Sequence, residues 1–197
     1  MEQPRFPDRL LPLAFDPARL AAAMADFAIA EWVRHFVTQN YDGDWDVIAL
    51  RGPAGARHPI QMIYSDPTCT NFADTPALTA SPGFTEVLAA FACPLHAVRL
   101  MRLAPGSVIK EHHDNDLSFE QGMIRIHIPV VTNDGVDFRL NGVRCLMPAG
   151  SCWYLRLSDP HSVANRGAED RIHLVIDTVA DDWVSALFQT ALRNQAA

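Results

Sequence analysis

Two hydrophobic periods divide the chain. From Pro17 to about Gln39, Leu20, Met24, Phe27, Ala28, Trp32 and Phe36 recur at helical intervals. That spacing predicts one or two amphipathic helices, opened by Asp16 as N-cap with Pro17 at the first helical position. A second short helix is expected over Gly83 to Ala92, capped near Ser81 and packing through Phe84, Val87, Leu88 and Phe91. Residues 40 to 80 read as irregular, with short strands at 45 to 50 and 61 to 64, and the Pro-rich first dozen residues as an extended surface segment.

From Leu95 the period becomes two and turn residues recur regularly. Strands are predicted at 96 to 104, 107 to 112, 122 to 130, 136 to 141, 143 to 147, 151 to 157, 162 to 165 and 171 to 178. Asn141-Gly142 is a two-residue hairpin signal, and Pro148-Ala149-Gly150 marks another turn. A last helix runs from Asp181 to about Arg193, with Val184, Leu187, Phe188 and Ala191 on one face. Short strands after a helical preface indicate a mainly β fold with flanking helices, a double-sheet jelly roll or cupin-like barrel. One domain is expected, with residues 1–94 as helical and irregular support, 95–178 as the β core and 179–197 as a C-terminal helix.

Composition narrows the classes of partner. With 49% hydrophobic and 20% charged residues the chain reads as globular, and no apolar run approaches the ~18 residues of a membrane span. Its start, Met1-Glu2-Gln3-Pro4-Arg5-Phe6-Pro7, lacks the basic and apolar regions of a secretory signal, so a cytoplasmic location is expected. Net charge is −7, Lys110 is the single lysine and no arginine stripe forms, which argues against sequence-independent nucleic-acid binding. Cys69, Cys93, Cys145 and Cys152 have no CxxC spacing and read as free thiols.

The chemistry concentrates at His112-His113-Asp114-Asn115-Asp116. His112 and Asp114 are two residues apart, so on a strand or its extended exit they share a face. With His161, in Ser158-Asp159-Pro160-His161, they make two imidazoles and one carboxylate, the ligand pattern of non-heme Fe(II) oxygenases. His113 falls on the opposite face, Asp116 ranks second to Asp114, and His173 competes with His161. His35, His58 and His96 are assigned no metal role. Arg125-Ile126-His127-Ile128 and Arg171-Ile172-His173-Leu174 each put Arg and His on one strand face and apolar residues on the other. One such pair alone reads as a solvated sheet face; two beside a metal triad point to a lumen holding an anionic ligand. Arg156 and Trp153, on the strand leading to His161, are expected to line a substrate pocket, with core packing the competing role for Trp153.

Several segments together resemble the aspartyl/asparaginyl β-hydroxylase-like Fe(II)/2-oxoglutarate dioxygenases, over about residues 98 to 178. They are Leu103-Ala104-Pro105-Gly106-Ser107-Val108-Ile109, His112-x-Asp114, Arg125-Ile126-His127-Ile128-Pro129, Pro160-His161-Ser162-Val163-Ala164-Asn165 and Arg171-Ile172-His173-Leu174-Val175-Ile176-Asp177. The resemblance implies a double-stranded β-helix, Fe(II) held by His112, Asp114 and His161, and 2-oxoglutarate whose distal carboxylate is paired by Arg171. Arg125 and His127 match positions that also hold the co-substrate. The implied reaction uses O2 to hydroxylate an unactivated C–H bond and releases succinate and CO2. Unlike animal members that lack the carboxylate ligand, this chain keeps Asp114, and it looks closer to short bacterial relatives that hydroxylate free amino acids such as proline. The substrate is then an amino acid, an amino-acid derivative or a peptidyl Asp/Asn-like residue, met by the stretches 40 to 80 and 115 to 121. A non-catalytic cupin-like binding protein is the alternative from another class, and a metal hydrolase or isomerase leaves the two lumen-facing arginines unexplained.

Overall fold

A strand that is apolar on one face and apolar or paired-polar on the other must be covered on both sides, which forces layers. The computed structural model describes residues 8–28, 31–64 and 68–196. The first half contains β1 (Asp8–Ala14), α1 (Pro17–Ala23), β2 (Val33–Arg34), β3 (Tyr41–Asp42), β4 (Trp45–Pro53), α2 (Pro59–Ile63), β5 (Phe72–Asp74), α3 (Pro76–Thr79) and α4 (Pro82–Leu88). It continues with β6 (Leu95–Leu103), β7 (Val108–His112), β8 (Met123–Val131), β9 (Val136–Leu140) and β10 (Val143–Cys145). The chain ends with β11 (Ser151–Leu155), β12 (His161–Asn165), β13 (Arg171–Val179) and α5 (Asp182–Ala196).

Two sheets face each other. The larger has the order β1-β11-β8-β13-β6-β4-β2, with β5 on β4, and the smaller has β10-β9-β12-β7-β3. One face of the larger sheet carries Ile48, Leu50, Val98, Leu100, Ile124, Ile126, Ile128, Ile172, Leu174 and Ile176, packed with Leu20, Phe84, Leu88, Val184 and Phe188 of the helices. The alternate residues Trp45, Val47, Met101, Leu103 and Val175 pack instead with Ile109, Phe138, Leu140 and Val163 of the smaller sheet. This is the jelly roll, or double-stranded β-helix, that the alternation predicts. Asn141 and Gly142, at φ 53 and 76, close the β9–β10 hairpin with Leu140 opposite Val143, the primed turn expected for Asn-Gly.

The N-terminal third departs from its periodicity. The helix opened by Asp16 and Pro17 ends at Ala23 and passes into a 3-10 turn, Met24–Asp26. Val33 and Arg34 instead pair with Val47 and Asp46 at the sheet edge, because a ladder partner overrides a helical spacing of apolar residues. Gln61 to Ile63, expected as strand, are helical: the His58 ring accepts from Ile60 N–H and Pro59 sits at the first turn. Asp8 to Ala14 extend along β11 as an added strand, while the predicted start over residues 1–7 lies outside the described residues. No helix among the described residues is long and apolar enough to cross a membrane.

The layer assignment makes a direct prediction for stability. Ile126→Ala, at a fully buried site between sheet and helices, is expected to cost roughly 2–5 kcal/mol in urea unfolding. Val143→Ala, 68% exposed on the hairpin, is expected to cost less than about 0.5 kcal/mol. Equal losses would contradict the layering.

Candidate metal centre and cavity

β7 and β12 are antiparallel neighbours whose register sets His112 directly opposite His161. Their ring centroids lie 4.2 Å apart. The register also shifts by one residue along this pair, from His161↔His112 to Val163↔Ile109, so β7 holds an extra residue between its two inward positions. Ile109 is buried between the sheets, and the extra residue lets His112 join it on that side. Beyond β7, the Asp114 backbone N–H is anchored on the Leu157 carbonyl at 2.8 Å. One ligand atom from each of His112, Asp114 and His161 then falls within 4.8 Å of the others.

The imidazoles are oriented by their far nitrogens. His112 Nδ1 lies 2.7 Å from the Lys110 carbonyl and His161 Nδ1 lies 3.0 Å from the Asp159 carbonyl. A carbonyl can only accept, so each Nδ1 carries the proton and each Nε2 keeps its lone pair for a metal. Burial pulls the His161 imidazole down to about 4; the Asp159 carbonyl opposes this and His112 adds to it, so the ring is neutral at pH 7. Two imidazoles and a carboxylate on one side of an ion leave the other side open, a donor set suited to Fe(II). Asp116, expected as second choice, is not in the cluster: it sits at φ 60 with its carboxylate accepting from Gln121. His113 is exposed, and His173 is buried against Arg171 rather than placed at the metal cluster.

A chain of charge backs the cluster. Asp114 Oδ2 accepts from Arg125 Nη1 at 2.6 Å, Arg125 Nε and Nη2 donate to both oxygens of Asp177, and Arg99 Nη1 donates to Asp177 Oδ2 at 2.9 Å. Burial disfavours charge on Arg125, yet Asp177 and then Asp114 outweigh it and raise its pKa. Burial likewise opposes charge on Asp177, and the attraction of Arg125 and Arg99 holds its carboxyl well below the usual range. Arg125, expected beside the co-substrate, therefore has all three nitrogens engaged and braces a proposed metal ligand.

Arg171 is different. It is 2% exposed, has no salt-bridge partner among the described residues, and its Nε makes no hydrogen bond. Nη2 lies 2.8 Å from His173 Nδ1, and the guanidinium lies over the Phe138 ring at 5.9 Å. Burial alone pulls this guanidinium down to about 9. His127 is buried beside it, its Nδ1 3.4 Å from His173 Nδ1 and its Nε2 unpartnered. A buried cation with an unfilled donor fits an anionic group such as the carboxylate of a dianionic co-substrate.

The metal cluster, Arg125, His127, Phe138, Arg171 and Asp177 line one cavity of about 810 Å3, which also includes His35, Trp45, Arg99 and Met101. Trp153 and Arg156, expected in the substrate pocket, are not among its lining residues. Trp153 packs between the sheets and donates to Ser151 Oγ at 2.8 Å. Arg156 pairs with Asp159 and with Glu120 at 3.3 Å, which fastens the turn that supplies the carbonyl to His161. Sequence reading missed Arg99, Asp177, His35 and Trp45 as site residues. A signal existed for two of them: Arg99 is in phase with Ala97 and Met101, and Asp177 with Arg171, so each is a charge on an inward strand face.

A family model described as aspartyl/asparaginyl beta-hydroxylase matches residues 19–181. The chain is 27% identical over 183 residues to an L-proline cis-4-hydroxylase of Rhizobium meliloti (strain 1021). That match takes in 91% of this chain and 62% of the relative, so the chain spans less than two thirds of that protein's length. A solved Pseudomonas putida prolyl-4-hydroxylase is similar with a TM-score of 0.55 at 13% identity, over 88% of this chain and 91% of that one. A non-heme alpha-ketoglutarate-dependent epimerase from nogalamycin biosynthesis gives 0.57 at 14% identity, over 89% and 79%. The two structural likenesses bear on the fold.

The charge chain predicts an acid-sensitive stability. The folded-state pKa of Asp177 lies below the unfolded value of ~3.9, so its contribution is complete above about pH 5 and is lost as pH falls toward the folded value. Asp177→Asn, which removes the anion shared by two buried guanidiniums, is expected to lose roughly 3–5 kcal/mol at pH 7. Urea unfolding should show the gap to wild type narrowing below about pH 4; a constant gap would refute the charge assignment.

Proposed function

The chain belongs to the aspartyl/asparaginyl β-hydroxylase family, and from that premise we propose that it is an Fe(II)- and 2-oxoglutarate-dependent dioxygenase. Its reaction is hydroxylation of an unactivated C–H bond of an amino acid, an amino-acid derivative or a peptidyl Asp/Asn-like residue, with release of succinate and CO2. A free amino acid is the first candidate, because the curated relative is named for L-proline. The observation that carries the reading is Arg171, a buried cation with no anionic partner among the described residues, sharing a cavity with a two-histidine, one-carboxylate cluster. A dicarboxylate co-substrate accounts for such a group directly, whereas metal-assisted hydrolysis does not require one.

His112, Asp114 and His161 are the residues that would hold Fe(II), through the two Nε2 lone pairs and the Asp114 oxygen not claimed by Arg125. When bound, Fe(II) with 2-oxoglutarate and O2 supplies the oxidising chemistry, and the chain supplies position and environment. Arg171, with His173 accepting one of its N–H groups, offers its remaining donors to the distal carboxylate of the co-substrate. His127 presents Nε2 beside that anchor. Apolar walls from Met101, Phe138, Leu157 and Val163 keep water from the reacting centre.

Succinate release from 2-oxoglutarate, measured with Fe(II), ascorbate and a panel of free amino acids and short peptides, tests the activity. Mass analysis should then find a gain of one oxygen in the substrate. Absence of turnover across the panel would favour a binding protein on the same fold. His161→Ala is expected to lose turnover entirely, and full activity in that variant would overturn the ligand assignment. Arg171→Met should raise KM for 2-oxoglutarate by roughly 100-fold or more while Fe(II) binding, followed by calorimetry, is retained.

A further inference from the structure

Two ring nitrogens at the cavity wall are left unused by the metal and co-substrate assignments. His35 and Trp45 stack with centroids 3.6 Å apart and planes 5° from parallel. Phe36 also stacks on the imidazole, at 5.0 Å and 14°. The Val37 backbone N–H donates to His35 Nδ1 at 3.3 Å, which assigns the lone pair to Nδ1 and the proton to Nε2 of the neutral ring. Burial, followed by the charges of Arg99 and Arg125, pulls this imidazole down to about 4, so it is an uncharged donor at pH 7. Trp45 is 7% exposed, and its buried Nε1–H has no acceptor among the described residues. Both residues line the cavity that contains the metal cluster.

A stack of rings buries apolar area without any N–H, so packing alone does not account for a buried indole donor with nothing to bind. Such a donor is costly to leave unsatisfied, and a ligand oxygen would satisfy it. The charges around the cavity constrain that ligand. Among the described residues that line the cavity, the guanidiniums of Arg99, Arg125 and Arg171 equal in number the carboxylates of Asp114, Asp116 and Asp177, and the two charges of Fe(II) equal those of a dianionic co-substrate. Uncharged donors then suit an oxygen of a molecule without net charge.

We infer that His35 Nε2–H and Trp45 Nε1–H form a specificity-determining donor pair for the primary substrate, binding a carboxylate or carbonyl oxygen of a net-neutral amino acid. The inference rests on the hydroxylase reading above and adds to it a recognition element and a charge class. Acidic amino acids are excluded because they would bring an uncompensated charge into a balanced cavity.

The test uses the full-length protein loaded with Fe(II) and 2-oxoglutarate, with L-proline as first probe and then a free amino-acid panel that includes L-aspartate. His35→Phe and Trp45→Phe keep a ring in the stack and remove the N–H. Each is expected to raise KM for the best amino acid by roughly 10-fold or more, with kcat within about three-fold and KM for 2-oxoglutarate within about two-fold. His35→Gln, which retains a donor, should recover part of the loss. Wild-type KM in both Phe variants would reduce the pair to a packing element, and L-aspartate as best substrate would overturn the charge class. If the wild type releases no succinate with any probe, the hydroxylase reading falls and this inference with it; a working wild type with unchanged variants sinks the inference alone. Should the variants fail to fold, the proton resonance of His35 Nε2–H in nitrogen-labelled wild-type protein decides. A downfield shift on adding the amino acid supports the pair, and no shift refutes it.

Discussion

One carboxylate, Asp177, lies between two buried guanidiniums, and the polar interior is arranged around it. Burying a charge in a β-sandwich is costly unless it is matched and hydrogen-bonded. Here the matching draws on β13 for Asp177, β6 for Arg99 and β8 for Arg125, and it passes through Arg125 to Asp114 beyond β7. The network thus joins adjacent strands of one sheet to the loop that carries a proposed metal ligand. Remove its centre and both guanidiniums lose their shared anion, while Arg125 loses the group that fixes its direction toward Asp114.

Much of this architecture is legible in the chain. Period-two alternation after Leu95 locates the strands, and the phase of Arg125 and His127 against Ile124, Ile126 and Ile128 separates the two faces of β8. What periodicity does not carry is which residue stands opposite which. Arg125-Ile126-His127 and Arg171-Ile172-His173 read alike, yet their strands run antiparallel, so Arg125 falls opposite Asp177 while Arg171 falls opposite Leu103. One arginine is saturated and the other is not, a difference made by register alone. The same limit hides the N-terminal wall: Trp32 and Phe36 keep a helical spacing, but the sheet edge takes Val33 and Arg34 into a ladder.

Satisfaction of polar groups tells the rest. Among the described residues, four buried side-chain polar atoms lack a partner, on Trp45, His127, Asp137 and Arg171. Three of those residues line the same cavity, so the deficit is gathered in one place. A folded domain tolerates few such groups, and their concentration beside His112, Asp114 and His161 marks the volume where binding, rather than folding, completes the hydrogen bonding.

The one-residue register shift in β7 has a consequence for how fold and chemistry are linked. Strict alternation from Ile109 would carry Glu111 inward and His112 outward; the extra residue reverses that phase just before the strand ends. Loss of a single residue between Ile109 and His112 would leave the strand able to pair with β12 and to bury Ile109, with no hydrophobic position moved. The histidine would then stand two residues from Ile109 and reach the same side by plain alternation, so the bulge is what the present three-residue spacing requires. What holds His112 inward is the match between a three-residue spacing and a one-residue bulge, and a change to either alone turns the ring away from the cavity.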